Sequence, residues 1–353
     1  MSSPFTPSYD GGTTTDLRPT ALQVLHTKNA ISSLPGHSIV ITGCTSGLGI
    51  TTAAALYETG ASLFLTARDT TKLEAIIDDI VRSSPAYGAK AVADEASPKL
   101  PPPPRPVGVE LRLHSLVSVR AAAASIKQRT NKLYALVNNA GIMATPYGVT
   151  EDGFESQLGT NHLGHFALFL ELKALLLAGA AEGPRRARVV NVTSAAHISS
   201  GIRFEDMHFA SGEYDKWAAY GQSKTANIYM ANSITRHFGG TGLIGLSVHL
   251  GMIATNVGRY CEQADFEMLE SKGLFKHMMS VEQGAATTVW AVVSAWFGEV
   301  DVDVDGEVKG MYLADVEVSE KHAVHAFDEE KEERLWVVSC RDVGVDLEAS
   351  LEA

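Results

Sequence analysis

The sequence predicts a doubly wound α/β fold, a parallel sheet with helices on both faces. Two observations predict it. Short apolar runs alternate with segments of helical periodicity along most of the 353 residues, the pattern of successive βαβ units. Several of those runs also lack polar alternation, as strands buried on both faces do. Composition agrees: 45% hydrophobic and 20% charged residues is an ordinary globular balance, and open α/β sheets often use such a length as one domain.

Taken in order, residues 1–20 read as a disordered polar segment without the basic and apolar regions of a signal peptide. An amphipathic stretch at 21–26 packs on the flank of a domain that runs from 21 to 340. Strands are expected to begin at Ser38 (SIVIT), Ser62 (SLFLT), Val109 (VELRL), Leu133 (LYALV), Arg188 (RVVNVT) and Leu243 (LIGLSVH), with a short seventh at Met311, Tyr312 and Leu313. Residues 83–108 break the pattern with four prolines in succession at 101–104. Proline removes backbone donors and blocks helix, so this stretch reads as an exposed insertion between the second helix and the third strand. Residues 341–353 form a C-terminal tail.

The net charge of −12 repels a phosphate backbone, and no basic stripe offsets it, which argues against nucleic acid. Asp301, Asp303, Asp305 and the acidic run at 328–333 read as solvated surface, and no metal site is expected. The three cysteines, Cys44, Cys261 and Cys340, share no metal-ligand spacing and suggest no disulfide framework. A reducing compartment fits, and a cytoplasmic location is expected. No apolar run approaches the roughly 20 residues needed to span a bilayer.

The first strand runs directly into Gly43, Cys44, Thr45, Ser46, Gly47, Leu48 and Gly49, and a helical pattern follows. Glycines there allow a tight turn and close backbone approach to a pyrophosphate, and the helix N-terminus offers free N–H groups and a favourable dipole. Three glycines alone fit an ordinary turn nearly as well; the strand before and the helix after favour nucleotide binding. The second strand ends at Thr66, Ala67, Arg68 and Asp69, where an adenosine ribose lies in such folds. An acidic residue at that place favours a free 2′-hydroxyl, a guanidinium a 2′-phosphate. Arg68 is read as the phosphate partner rather than a solvated loop residue, so NADP(H) is expected in preference to NAD(H).

Tyr220 and Lys224 fall four apart in a long helical pattern, which puts phenol and ammonium on one face. A phenol with its ordinary pKa near ~10 carries protons poorly at neutral pH. A nearby cation favours phenolate, and the tyrosine can then exchange a proton with a carbonyl or alcohol oxygen while a nicotinamide exchanges hydride. Such a pair is common by chance, so the remaining pieces decide. RVVNVT ends at Thr193 and Ser194, LYALV ends at Asn138, Asn139, Ala140 and Gly141, and Asn161 opens NHLGHF in the next helix. All arrive at the strand ends where open α/β folds bind ligands.

TGCTSGLG, NNAG, Asn161, Ser194 and YGQSK together resemble the ordered motif set of the short-chain dehydrogenase/reductase superfamily, from about Ser38 to about Leu313. The chain is similar to the branch of retinol-dehydrogenase-like and WW-domain-oxidoreductase-like enzymes. Within it, EQGAATTVWA, GMYLAD and DEEKEERLW resemble soluble fungal members, many of which serve specialised metabolism. The resemblance implies a Rossmann-type domain with a seven-stranded parallel sheet in the order 3-2-1-4-5-6-7. It implies that Tyr220 is the general acid/base, that Lys224 binds the nicotinamide ribose and lowers the tyrosine pKa, and that Ser194 orients the substrate oxygen. Asn161 would hold a water in a relay to Lys224. Leu113, Asn138, Ala140 and Gly141 would line the cofactor on the adenine side; His249, Leu250 and Gly251 would flank the nicotinamide, with Thr255 near its carboxamide. Residues 252–280 would cover the substrate, and their content of Tyr260, Phe266, Met268, Phe275 and Met279 suits a bulky apolar ligand, though such residues also pack small helices onto a domain. A homodimer through the helices bearing Asn161 and Tyr220 is a further expectation.

Two positions depart from the family. Arg112 stands where an aspartate usually takes a bond from the adenine amino group, and Leu250 stands where proline is usual. Both bear on the cofactor, not on the proton-transfer site. His162 and His165 read as packing residues, and His197 as a loop hydrogen-bonding residue. The expected reaction is reversible reduction of a ketone or aldehyde of a small molecule. Its rivals are a tailoring enzyme of the same fold with no net redox, such as an epimerase, and a non-catalytic NADP-binding protein; net cofactor consumption separates the first, and the intact Ser194, Tyr220, Lys224 and Asn161 set argues against the second.

Overall fold

The computed structural model describes residues 16–88, 101–183, 185–299, 303–304, 307–308 and 310–352. Most of the segment read as disordered, the centre of the Pro-rich insertion, and Asp301 and Asp305 lie outside the described residues.

A capping box between Thr20 and Gln23 starts α1 (Ala21–Thr27), which buries Ala21, Val24 and Leu25. The alternation then runs β1 (Ser38–Thr42), α2 (Leu48–Tyr57), β2 (Ser62–Ala67), α3 (Thr70–Ser83), β3 (Val107–Glu110), α4 (Leu116–Lys127) and β4 (Ala135–Asn138). It continues with α5 (Gly164–Ala180), β5 (Ala187–Val192), α6 (Lys216–Phe238) and β6 (Leu243–Val248). After the short helix α7 (Gln263–Ser271) come α8 (Ala286–Val293), β7 (Met311–Ala314), β8 (Glu317–Val318), α9 (Glu329–Val343) and α10 (Leu347–Leu351). The Pro-rich insertion thus leads straight into β3, which starts two residues before the expected Val109.

The sheet order is β3-β2-β1-β4-β5-β6-β7-β8, parallel throughout except the β7–β8 pair. It has eight strands where seven are expected. The eighth is a two-residue antiparallel edge, Glu317 and Val318 against Ala314 and Leu313, too short to show a period of its own. Side chains alternate between two cores. Ile39, Ile41 and Val137 face the cluster under α1, α2 and α8, while Val40, Leu136 and Val189 face the cluster under α4, α5 and α6. Coverage on both faces is why these strands carry no polar alternation.

Residues 156–180, which end in α5, form the one helical run among the described residues long and apolar enough, by length and composition, to cross a bilayer; 56% of its most apolar window is buried within the protein. The boundary expected at residue 340 falls inside α9. Beyond it, Ser350 of α10 takes a bond from Trp336 Nε1 at 3.0 Å, and Lys173 of α5 donates to the Ala349 and Ser350 carbonyls, satisfying C-terminal carbonyls that a helix leaves orphaned.

Candidate active site

β1 delivers the chain into a turn that only glycine can make. Gly43 has φ +77° and would place a Cβ 2.9 Å from the Ala140 Cα; at Gly49 a Cβ would stand 2.2 Å from the Gly43 carbonyl oxygen. Gly47, with φ +52°, precedes the ten-residue α2 and gives it no side-chain cap, so the first N–H groups of that helix stay available at the cavity wall. Beneath the turn, Thr42 Oγ1 accepts from the backbone of Asn139 and Ala140, each at 3.0 Å. His165 Nδ1 donates to the Asn161 carbonyl at 2.9 Å, which leaves Nε2 to accept the Thr42 hydroxyl at 2.9 Å. Burial holds this imidazole down to about 4, so it is neutral. A cradle that any Cβ would fill, closed by uncapped amides, fits a dinucleotide pyrophosphate.

The cradle opens into one cavity of ≈1420 Å³, larger than the roughly 300–1,000 Å³ of a single drug-sized site and so with room for cofactor and substrate together. Thr45, Ser46, Gly47, Leu48 and Gly49 line it, as do Leu113, Ala140, Gly141, Gly251 and Thr255. At the end of β2 the two neighbouring charges part. Asp69 caps α3 by accepting from Lys72 N at 2.9 Å, whereas Arg68 stands exposed at the cavity rim.

α6 carries Tyr220 and Lys224, 7% and 4% exposed, on the opposite wall. Lys224 Nζ lies 5.6 Å from the Tyr220 ring centre and donates to the Val192 carbonyl at 3.1 Å. Ser194, just past β5, lies beside the Tyr220 phenol, and its Oγ accepts from Ala196 N at 3.2 Å. Burial pushes that phenol up to about 12, the Ser194 hydroxyl pulling the other way, and burial brings Lys224 down to about 8. Dehydration of the phenolate drives the upward shift, and the Lys224 ammonium is turned toward a backbone carbonyl.

Asn161 lies within a π-helical turn, Gly159–Leu163, that introduces α5; such turns frequently mark functional sites. Its Oδ1 accepts from Ile142 N at 2.8 Å, and its Nδ2 donates to the Ile142 carbonyl and to Ser223 Oγ, both at 2.9 Å. The side chain clamps the strand-4 loop to α6 and is fully buried. Gly141 permits this closeness, since a Cβ there would be 3.2 Å from Asn161 Oδ1 and 3.5 Å from Lys224 Nζ.

Comparison with known proteins agrees with this geometry. The family model described as short chain dehydrogenase matches residues 104–265. The Short-chain dehydrogenase/reductase prx1 of Penicillium roqueforti is 37% identical over 92% of this chain and 90% of its own. The chain belongs to the short-chain dehydrogenase/reductase family. Human retinol dehydrogenase 13 is 31% identical over 89% of this chain and 87% of its own. A crystal structure of a Mycobacterium Paratuberculosis protein superposes with a TM-score of 0.63, at 29% identity, covering 90% of this chain and 98% of that one. This short-chain dehydrogenase/reductase is accordingly an oxidoreductase of a family that uses NAD(P)(H) on carbonyl and alcohol groups of small molecules.

Within the enzyme one expected placement, that of Asn138, is corrected, and Asn161 and Arg112 are located. Asn138 points into the sheet, where its Nδ2 donates to Asn191 Oδ1 at 2.8 Å, and it does not line the cavity. Its neighbour Asn139 does, donating to the Thr42 carbonyl at 2.8 Å. Adjacent residues at a strand end face opposite sides, and the pairing of β4 with β5 decides which of the two faces in. Asn161 is likewise absent from the cavity wall. Arg112 turns away from the cavity toward Glu110 and Glu151, at 3.6 and 3.8 Å, while its neighbours Leu111 and Leu113 face in.

Residues 252–280, the segment expected to cover the substrate, contain contacts that sequence reasoning missed. Met252 and Ile253 pair with Met278 and Met279, which closes the segment into a loop. Asp265, 6% exposed, is the one buried residue of α7. It accepts from Lys216 Nζ at 2.6 Å and from Trp217 Nε1 at 2.8 Å at the head of the Tyr220 helix. From the other side Arg18 donates to the carbonyls of His277 and Met278 at 3.1 and 2.8 Å. His197 holds the Ser194 loop as a hydrogen-bonding residue, its Nδ1 donating to the Ser194 carbonyl at 2.7 Å.

Proposed function

We propose that this enzyme moves a hydride between NADP(H) and the carbonyl or alcohol of a bulky apolar small molecule. The observation that carries the reading is the meeting of Ser194, Tyr220 and Lys224 on one wall of a cavity whose other wall is the glycine cradle. The nicotinamide supplies or takes up the hydride. Tyr220 Oη gives its proton to the carbonyl oxygen in reduction and takes it back in oxidation. Ser194 Oγ, beside that phenol, orients the substrate oxygen toward it. Lys224 is largely protonated at neutral pH even when lowered to about 8. It stabilises the phenolate left after proton transfer and binds the nicotinamide ribose. Asn161 holds the strand-4 loop against α6 and so keeps Lys224 in place.

Two observations support the finer points. Asp69 is engaged as a helix cap while Arg68 faces the rim, which favours a 2′-phosphate. The lid presents Phe266, Met268, Leu269 and Phe275 to the cavity, and human retinol dehydrogenase 13, named for an apolar alcohol, is a relative.

Tyr220→Phe should retain the fold and NADPH binding but lose turnover by roughly 10² or more, measured as NADPH oxidation with a panel of hydrophobic ketones and aldehydes. Turnover near wild type would remove the assigned role. Arg68→Ala should weaken NADPH more than NADH by roughly 1.5 kcal/mol, the low end for a charged hydrogen bond because the site is exposed. Equal weakening of both cofactors in calorimetric titration would remove the argument for NADP.

A further inference from the structure

The charge of the cavity wall is opposite to that of the chain. The whole sequence has 41 Asp and Glu against 29 Lys and Arg. The cavity is lined by Arg18, Arg68, Lys224, Arg259, Lys272 and Lys321, while Asp315 is the sole carboxylate among its lining residues. Cofactor binding accounts for Arg68 and Lys224 under the reading above, and Asp16 neutralises Arg18 through an ion pair at 2.6 Å. Three cations remain. Arg259 and Lys272 belong to the lid, and Lys321 belongs to the segment after β8, whose Ala323 N–H is bonded to His197 at 3.1 Å beside the Ser194 loop.

All three are exposed, and Arg259 is anchored by contacts of its own. Its Nη1 donates to the Asn256 carbonyl at 2.9 Å and its guanidinium sits 4.6 Å from the Tyr260 ring centre, so the planar group is held in place with donors to spare. The cavity is also lined by apolar side chains, among them Ile198, Phe266, Leu269 and Phe275. A cleft lined mainly by one sign of charge concentrates ligands of the opposite charge, and this lining is cationic in a chain of net charge −12.

We infer that the substrate is an amphipathic anion, a hydrocarbon body carrying a carboxylate or a similar acidic head that Arg259, Lys272 and Lys321 receive while the reacting carbon lies at Tyr220. The inference rests on the reading of this cavity as the substrate site, but its test does not depend on turnover. Enzyme saturated with NADP would be titrated calorimetrically with decanoate and with decanol, which share a hydrocarbon body and differ in charge. Decanoate should bind at least tenfold tighter at low ionic strength, and the margin should shrink as salt screens the three cations. In the triple variant Arg259→Gln, Lys272→Gln, Lys321→Gln the margin should vanish while decanol affinity and NADP affinity stay as they were. Equal binding of the two ligands, a preference for decanol, or no saturable binding of decanoate overturns the inference. A fall in NADP affinity in the triple variant overturns it too, by assigning these cations to the cofactor. Failure of NADPH oxidation with every carbonyl compound would count against the proposed reaction and leave the binding margin as a separate result.

Discussion

Two segments face each other across the cavity, and they are held by different means. The turn at residues 43–49 and the lid at 252–280 approach so closely that a Cβ on Gly47 would stand 3.2 Å from Thr255. The turn is fixed by sterics: Gly43 and Gly49 leave no space for a side chain, and the Thr42 hydroxyl and His165 imidazole brace it from a fully buried position. The lid buries one residue of α7, and that residue is a carboxylate. It is held by a two-residue strand pair, by Asp265 on Lys216 and Trp217, and by Arg18 on two carbonyls. Few buried apolar contacts mean a low cost of local opening, which suits the proposed role of this segment as a cover for the substrate. The difference teaches that one cavity can pair a wall fixed by sterics with a wall held by a few polar contacts.

Acid should separate the two sides most strongly. His165 has an ordinary pKa of 6.5 unfolded and about 4 folded, because burial disfavours its charged form. The unfolded chain therefore takes the proton first, and stability present above pH 6.5 is lost as pH falls toward 4. At about 1.36 kcal/mol per unit this one group accounts for roughly 3 kcal/mol. The stability difference between wild type and His165→Gln, followed by denaturant unfolding from pH 7 to pH 4, should change by about that amount. A difference that does not vary with pH would show that the imidazole does not brace the turn in its neutral form. Asp265 responds with the same sign but only at lower pH: burial alone would raise its carboxyl, but the bonds from Lys216, the Glu262 backbone and Trp217 outweigh it and leave it lowered. The lid contact should hold until pH falls below the ordinary 3.8 of that group.

A smaller effect is expected from Gly49→Ala. The added Cβ must displace the Gly43 carbonyl, and a displacement of about 1 Å can cost on the order of 10²-fold. NADPH affinity should fall by about that factor. Affinity within a fewfold of wild type would break the comparison, since the turn would then yield as a lid does. The smallest effect belongs to Asp265→Ala, whose lost contact is partly open to solvent at Lys216. The KM for a carbonyl substrate should rise about tenfold, equivalent to ~1.4 kcal/mol, with NADPH affinity unchanged and faster proteolysis within 252–280. If NADPH affinity fell equally, the two sides would be one cooperative unit.

The sequence by itself determined the parts that repeat or that obey local sterics. Strand positions followed from apolar runs, the turn from three glycines between a strand and a helix, and the shared face of Tyr220 and Lys224 from the period of an α-helix. Motifs kept in order along the chain were enough to place it in its family. Tertiary structure decided what depends on which side of an element meets which neighbour. Asn138 and Asn139 are adjacent amides, and only the register of β4 in the sheet turned the second toward the glycines and the first toward Asn191. Arg112 found Glu151, 39 positions away in the numbering, instead of the cavity. Arg18 and Asp265 act on partners 260 and 49 residues distant, and the eighth strand is two residues long. Contacts of this kind leave no periodic trace in a sequence, because they join short irregular segments whose meeting is set by the packing of everything between them.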